Sequence, residues 1–161
     1  MKPYQLDLGP ITFFDGTDYD FLSNFHPASF SWMGLPYSTS EHFFQAAKAT
    51  GLSAAEVIRC AFDPGEAKAA GNRCMLRIDW EQVKDDVMRL ALRLKFTSHQ
   101  HLAVSLMDTY PRMLIEGNTW GDTYWGVDNI EGGRNMLGLL LMELRTQLIG
   151  ERNAKRIADM L

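Results

Sequence analysis

The stretch "YSTSEHFFQAAK", residues 37–48, sets Glu41, His42, Gln45 and Lys48 among two phenylalanines and two alanines. Ser38 followed three residues later by Glu41 has the pattern of a capping box, in which a hydroxyl and a carboxylate each take a stray N–H of a first helical turn. It predicts a helix running to about Thr50. On that helix positions 41, 45 and 48 are four and three residues apart and share one face. Phe43, Phe44, Ala46 and Ala47 take the other directions and anchor the helix in a core. Lys48 then lies about 10 Å along the axis from Glu41, at ~1.5 Å per residue. A carboxylate and an amine so placed can flank one small substrate. Spacing alone suits a plainer reading better, a capping glutamate and a solvated lysine. Glu41-His42 also resembles half of a zinc-protease signature, which needs two histidines four apart around a glutamate. Positions 38 and 46 are Ser38 and Ala46, so no metal site is expected here.

Outward from this stretch the pattern is mixed, then helical. "ITFF" (11–14) is β-branched and aromatic and reads as a strand. "ASFSWMGLPYS" (28–38) alternates and turns at Met33-Gly34, which predicts a hairpin. Ser53 with Glu56 predicts a capped helix near 54–62, and Pro64 opens another that Gly71-Asn72 closes. Asp79 with Gln82 caps a longer one, with Val83, Val87, Leu90, Ala91 and Leu94 on one face. Ser98 starts a fifth helix that ends before Pro111, and "RMLIE" (112–116) reads as a short strand. Asn135 caps a last long helix, 136–149, apolar on nearly every side and hence expected to be central; residues 151–161 form a short terminal helix. The expectation is a mainly α, single-domain helical bundle with a small N-terminal β element.

The chain has 161 residues, of which 46% are hydrophobic and 22% charged, so it is read as one globular domain over 1–161. A formal charge of -4 argues against an extended surface for duplex DNA. The start has no apolar run of a secretory signal, and "MLGLLLM" (136–142) is far too short to span a bilayer. Cys60 and Cys74 lack metal-ligand spacing and read as reduced, packed thiols. A cytoplasmic protein with no membrane partner is expected.

Between 117 and 135 the chain is dense in Gly, Asn, Asp and Trp, and loops of this length are usually functional. In "GDTYWG" (121–126) Asp122 stands near Trp125 and Gly126. Such a set suits a flat polar ring: Trp stacks on it, the carboxylate takes its N–H donors, and glycine lets backbone approach. A turn aspartate beside core aromatics fits the same letters. Ser23 and Asn24 are candidates for a phosphate or a sugar hydroxyl, with turn chemistry the plainer reading. His26, His99 and His101 have no carboxylate or thiol at metal-ligand spacing.

In order along the chain, "FLSNF" (21–25), the hairpin, "YSTSEHFFQAAK", a tryptophan before "VKDDVMRLALRLKF" (83–96), "GDTYWG" and "GGRNMLGLLLMELR" (132–145) resemble the NADAR (YbiA-like) family. The resemblance runs from about Phe13 to Arg145, within a domain core of about 13–149. It implies an N-glycosidase acting on a ribosyl C1'–N bond, with riboflavin-pathway intermediates as substrates and ribose 5-phosphate as product. A second activity it implies is removal of ADP-ribose from guanine bases. A non-catalytic module that binds ADP-ribose or a flavin precursor is the reading of another class. Residue by residue, the resemblance assigns catalysis to Glu41, Lys48 and Asp122, and substrate binding to Asn24, Trp80, Trp125 and Gly126, beside Ser23. No metal and no cofactor is implied, and the partner is a small molecule: a ribosylamine phosphate or an ADP-ribosyl guanine. Ala47 stands where the family commonly has Gln, and "VDNIEGGRN" (127–135) is shorter than the family's Gly-rich stretch. Both departures bear on substrate rather than reaction. The chemistry is consistent: Glu41 at the anomeric carbon or as acid/base, and Lys48 as a Schiff-base nucleophile on an opened sugar. Which of the two leads is left open by the sequence.

Overall fold

The computed structural model describes residues 9–13 and 17–161. They fall into two compact units, a middle one of residues 21–105 and a terminal one that joins the residues up to Asp20 to Leu106–Leu161.

The middle unit holds a hairpin, β2 (Phe30–Trp32) and β3 (Leu35–Tyr37), and the helices α1 (Ser40–Ala47), α2 (Leu52–Arg59), α3 (Pro64–Arg73) and α4 (Trp80–Ser98). The hairpin is antiparallel, with Phe30 opposite Tyr37. Met33 and Gly34 turn it with φ of 50° and 80°, both in the left-handed region that a tight two-residue turn requires. Helix α1 is the hub. Every residue from Ser40 to Ala46 is buried, because α2, α3, α4 and β3 all pack against it. Phe43 meets Phe30, Ala91 and the flanks of Val87, Leu90 and Leu94 on one side. Ala46 meets Ile58 and Ala67 on the other, where small residues let α2 and α3 come close. Val87, Leu90, Ala91 and Leu94 of the apolar face expected on α4 thus pack toward α1, while Met88, Leu92 and Phe96, outside that set, are among its buried residues.

The terminal unit holds β1 (Ile11–Phe13), β4 (Leu114–Asn118), β5 (Val127–Asp128) and α6 (Met136–Ala158), with α5 (Gln100–Asp108) leading into it. Its sheet is parallel, in the order β1-β4-β5. The β content is therefore not only N-terminal: a strand from the start of the chain pairs with one from its last third, a long-range pairing that no local pattern announces. Of "ITFF", Phe14 lies outside the described residues. Helix α6 packs on β4 with Leu137, Leu140, Leu141, Leu144 and Leu148 buried. Leu139 is exposed and the helix runs on to Ala158, so it is a one-sided helix that absorbs the separate terminal helix expected after 151. Among the described residues no helix is long and apolar enough to cross a membrane.

Several caps differ from the expected ones. Thr39, not Ser38, caps α1: it is extended, and its hydroxyl accepts the N–H of His42 at 3.3 Å. Glu41 is then the second residue inside the helix and not the capping-box partner. Gly51 precedes α2, with no side-chain cap, while Glu56 pairs with Arg59. Asp79 is the N-cap of α4 as expected, but its side chain makes no cap bond: Arg77 holds the carboxylate at 2.5 and 2.9 Å. Gly71 lies inside α3 rather than closing it, and Ser98 ends α4 rather than starting α5. Cys60 is exposed, not packed, beside Arg59 and Glu56.

Met33 is 86% exposed, so its left-handed backbone is not repaid by packing. Left-handed geometry costs an ordinary L residue ~1–2 kcal/mol, and asparagine tolerates it. Met33→Asn is expected to raise stability by about 0.5–1 kcal/mol in urea unfolding; an unchanged or lower midpoint would show that Met33 contributes something its exposure hides.

Candidate active site

Helix α1 enters its position through two anchors. His42 lies against Thr39 through Nδ1 (2.9 Å) and against the Ala61 carbonyl through Nε2 (3.2 Å). A carbonyl can only accept, so Nε2 carries the proton of that bond. Both ring nitrogens are spent on tying α1 to its cap and to the turn after α2. One residue earlier, the N–H of Glu41 donates to the carbonyl of Asn24 at 3.1 Å. The "SNF" turn is thus bound to the first turn of α1.

Glu41, Gln45 and Lys48 share a face, as their spacing predicts, but that face is not solvated: they are 5%, 4% and 8% exposed. Gln45 donates from Nε2 to Oε1 of Glu41 at 2.7 Å, which fixes the carboxylate's rotamer. Lys48 donates from Nζ to Oδ1 of Asn72 at 3.3 Å, so α3 holds the amine. Gly71 makes this arrangement possible. A Cβ there would overlap the Gln45 amide oxygen and meet Cε of Lys48 at 2.9 Å. Burial pushes the Lys48 amine below its ordinary value, and Lys68 adds to this, while Cys74 and Glu41 oppose it. A larger neutral fraction makes an amine a better nucleophile. A carboxylate and a desolvated amine, each held by a carboxamide, can do acid–base and covalent chemistry at one carbon.

The other expected residues of this unit are Ser23, Asn24 and Trp80. Asn24 is buried, and its Nδ2 reaches the Met88 sulfur at 3.3 Å. Its Oδ1 has no hydrogen-bond partner among the described residues. The Ser23 hydroxyl accepts the N–H of Phe25 at 3.1 Å, which is turn chemistry. Trp80 is buried with its ring 5.0 Å from that of Phe44, so it braces α1 from behind.

Asp122, Trp125 and Gly126 lie in the loop of the terminal unit. Oδ1 of Asp122 accepts the N–H groups of Tyr124 (3.1 Å) and Trp125 (2.9 Å). Asn118 pairs with the Asp122 backbone at both its N–H and carbonyl. The side of Gly126 on which a Cβ would stand is filled by the Glu116 carbonyl and the Asn118 amide. Asp128 closes the loop by accepting from Gly121, Ile130 and Glu131. The turn reading of Asp122 is therefore realised in its geometry. Asn135 makes no cap bond to α6; its amide accepts from Glu116 and donates to Leu114, standing in for a strand beside β4.

Gln45, Gly71 and Asn72 also touch the Glu41–Lys48 face, and the sequence assigns them no role there. Gln45 was detectable, since Gln and Glu at i and i+4 on a helix are hydrogen-bonding neighbours. Gly71-Asn72 instead has the look of a helix terminus, and only the packing of α3 on α1 gives it another meaning.

The comparisons with known proteins agree on one family. The NADAR domain model matches residues 12–149. N-glycosidase YbiA of Shigella flexneri serotype 5b is 45% identical over 84% of this chain and 85% of its own length. The maize chloroplastic riboflavin biosynthesis protein PYRR is 32% identical over 93% of this chain, which spans 26% of that protein. The NMR structure of Escherichia coli YbiA superposes with a TM-score of 0.82 at 41% identity, covering 89% of this chain and 87% of that one.

Two outcomes follow for the site. Lys48 should titrate below the ordinary 10.5 of a lysine, and Glu41→Gln should lower it further by removing a charge that favours the ammonium. Site-resolved NMR titration of the amine checks this, and an upward move in the variant would refute the geometry. Asp122→Ala should lower the melting temperature by freeing two loop N–H groups, whereas Asp122→Asn keeps an acceptor and should melt close to the parent. A changed substrate ranking in a stably folded Asp122→Asn variant would assign the side chain a role in base recognition as well.

Proposed function

Because this chain belongs to the NADAR domain family, we propose that it is an N-glycosidase that hydrolyses the C1'–N ribosyl bond of ribosylaminopyrimidine 5'-phosphates of the riboflavin pathway. The products are ribose 5-phosphate and the free aminopyrimidine. The observation that carries the reading is the pair on α1: the Glu41 carboxylate fixed by Gln45, and the Lys48 amine lowered by burial and held by Asn72. The N-glycosidase name of the Shigella relative and the riboflavin biosynthesis name of the maize relative support the substrate class.

In this reading the neutral amine of Lys48 adds to C1' of the ring-opened substrate. Glu41 has taken the proton that the Lys48 ammonium loses; one proton passes from Nζ to the pyrimidine nitrogen, Glu41 delivers the second, the C1'–N bond breaks, and C1' is left as a protonated Schiff base on Lys48. Water then adds to C1', its proton passing to the Glu41 carboxylate. The C1'–Nζ bond breaks to release ribose 5-phosphate and the amine. One water is consumed, and the protons taken and returned by Glu41 balance. We take both compact units as one functional domain, since the family match runs through both. We place it in the cytoplasm on the strength of its two free cysteines.

The test is incubation with a ribosylaminopyrimidine 5'-phosphate and, separately, with ADP-ribosyl guanosine. Ribose 5-phosphate should appear in the first, and borohydride should trap a ribose 5-phosphate adduct on Lys48. Glu41→Gln should lower turnover by about 10²–10⁴-fold, the usual contribution of a general acid–base group. Its melting temperature should barely move, because Thr39 caps the helix. Release of ADP-ribose alone would transfer the protein to the other substrate class, and full turnover by Glu41→Gln would remove Glu41 from the chemistry.

A further inference from the structure

Lys95 is fully buried in α4, with 0% exposure. Its amine donates to the carbonyl of Ser23 at 2.8 Å and lies 5.1 Å from the Phe96 ring. Burial alone pushes it down to about 7. An apolar side chain of the same length would fill this space without the desolvation cost. What the amine adds is a hydrogen bond to one particular backbone carbonyl.

That carbonyl belongs to the turn that holds the first turn of α1. Asn24, the next residue, accepts the N–H of Glu41 at 3.1 Å. Its side chain also reaches the sulfur of Met88 at 3.3 Å. Met88 and Lys95 are seven residues apart on α4, two turns along one face, or about 10 Å. Helix α4 therefore grips the Ser23-Asn24 turn at two separated points, and the turn grips Glu41 by its backbone. We infer that Lys95 is a positioning residue for Glu41, acting through the Ser23 carbonyl and the Asn24 carbonyl. The inference rests on the reading of Glu41 as the reacting carboxylate. Lys95 does not touch substrate; it fixes the register of the turn from which the carboxylate is hung. Reacting groups need to be held within about 0.5 Å, and a misplacement of 1 Å can cost about 100-fold in rate.

The experiment is Lys95→Met, which keeps the bulk and removes the donor. Its melting temperature should equal or exceed the parent's. KM should stay within about threefold while kcat falls about 10- to 100-fold. Amide hydrogen exchange read by NMR supplies a measure that needs no activity. The Glu41 amide should exchange at least about tenfold faster, while that of Ala49, bonded to Ala46 at the far end of α1, keeps its protection. Unchanged protection at Glu41 overturns the inference whatever the activity, and so does parental kcat alongside faster exchange. Should Lys95→Met not fold, the parent protein decides: the Glu41 amide resonance must shift with the same midpoint as the Lys95 amine, and an independent midpoint overturns the link. A Glu41→Gln control run beside these separates the two readings, since full turnover there means that the glycosidase role of Glu41 has failed, while the exchange data still judge the tether.

Discussion

At Gly71 the side chains of Gln45 and Lys48 from α1 fill the space that a Cβ on α3 would need. Much of the middle unit depends on that contact. It presses the Gln45 amide toward Glu41, and it brings Asn72 to the Lys48 amine. It also seals the polar face of α1, so that residues which would otherwise be solvated are held in a protein interior. Any residue larger than glycine would have to displace either the Gln45 amide or the Lys48 stem, and with them the rotamers of the two ionisable groups.

The carboxylate takes one carboxamide donor, from Gln45, and the amine has one carboxamide acceptor, from Asn72. A carboxamide donor stabilises a carboxylate without lending it a full positive charge, and a carboxamide acceptor orients an ammonium without locking it in the charged form. With desolvation as the largest influence on Lys48 and Glu41 only opposing it, the amine remains able to lose its proton. A tight ion pair in the same place would hold both groups in their charged states and suit a purely structural role better.

The sequence revealed the helix, the hairpin turn and the shared face of Glu41, Gln45 and Lys48, because all three are local: a four-and-three spacing, a Gly at a turn, a break in alternation. It misplaced what depends on which of two neighbours wins a bond. Ser38 and Thr39 are both good caps, and only the extended backbone at Thr39 settles the choice. Asp79 is a good cap until Arg77 takes its carboxylate. The parallel pairing of β1 with β4 joins segments about a hundred residues apart, beyond the reach of any local pattern. The solvated reading of Lys48 failed for the same reason, since the cover over it comes from α3. In the loop, letters that suit a ligand site also suit a self-bonded turn, and Asp122 spends one oxygen on that turn.

Two buried lysines in one unit show how burial alone does not define a nucleophile. Lys95 is the more perturbed, pushed down to about 7 by an environment with no charged group contributing. By amine basicity it would be the better candidate. Yet it is enclosed on every side, and its hydrogen bond goes to a backbone carbonyl. Lys48 is less enclosed, and its partner Asn72 stands on the exposed surface of α3. A substrate can meet an amine at such a margin but not one in a closed core. Accessibility therefore divides the two: the amine beside α3 keeps a margin of exposure, at 8%, and the one inside α4 keeps none.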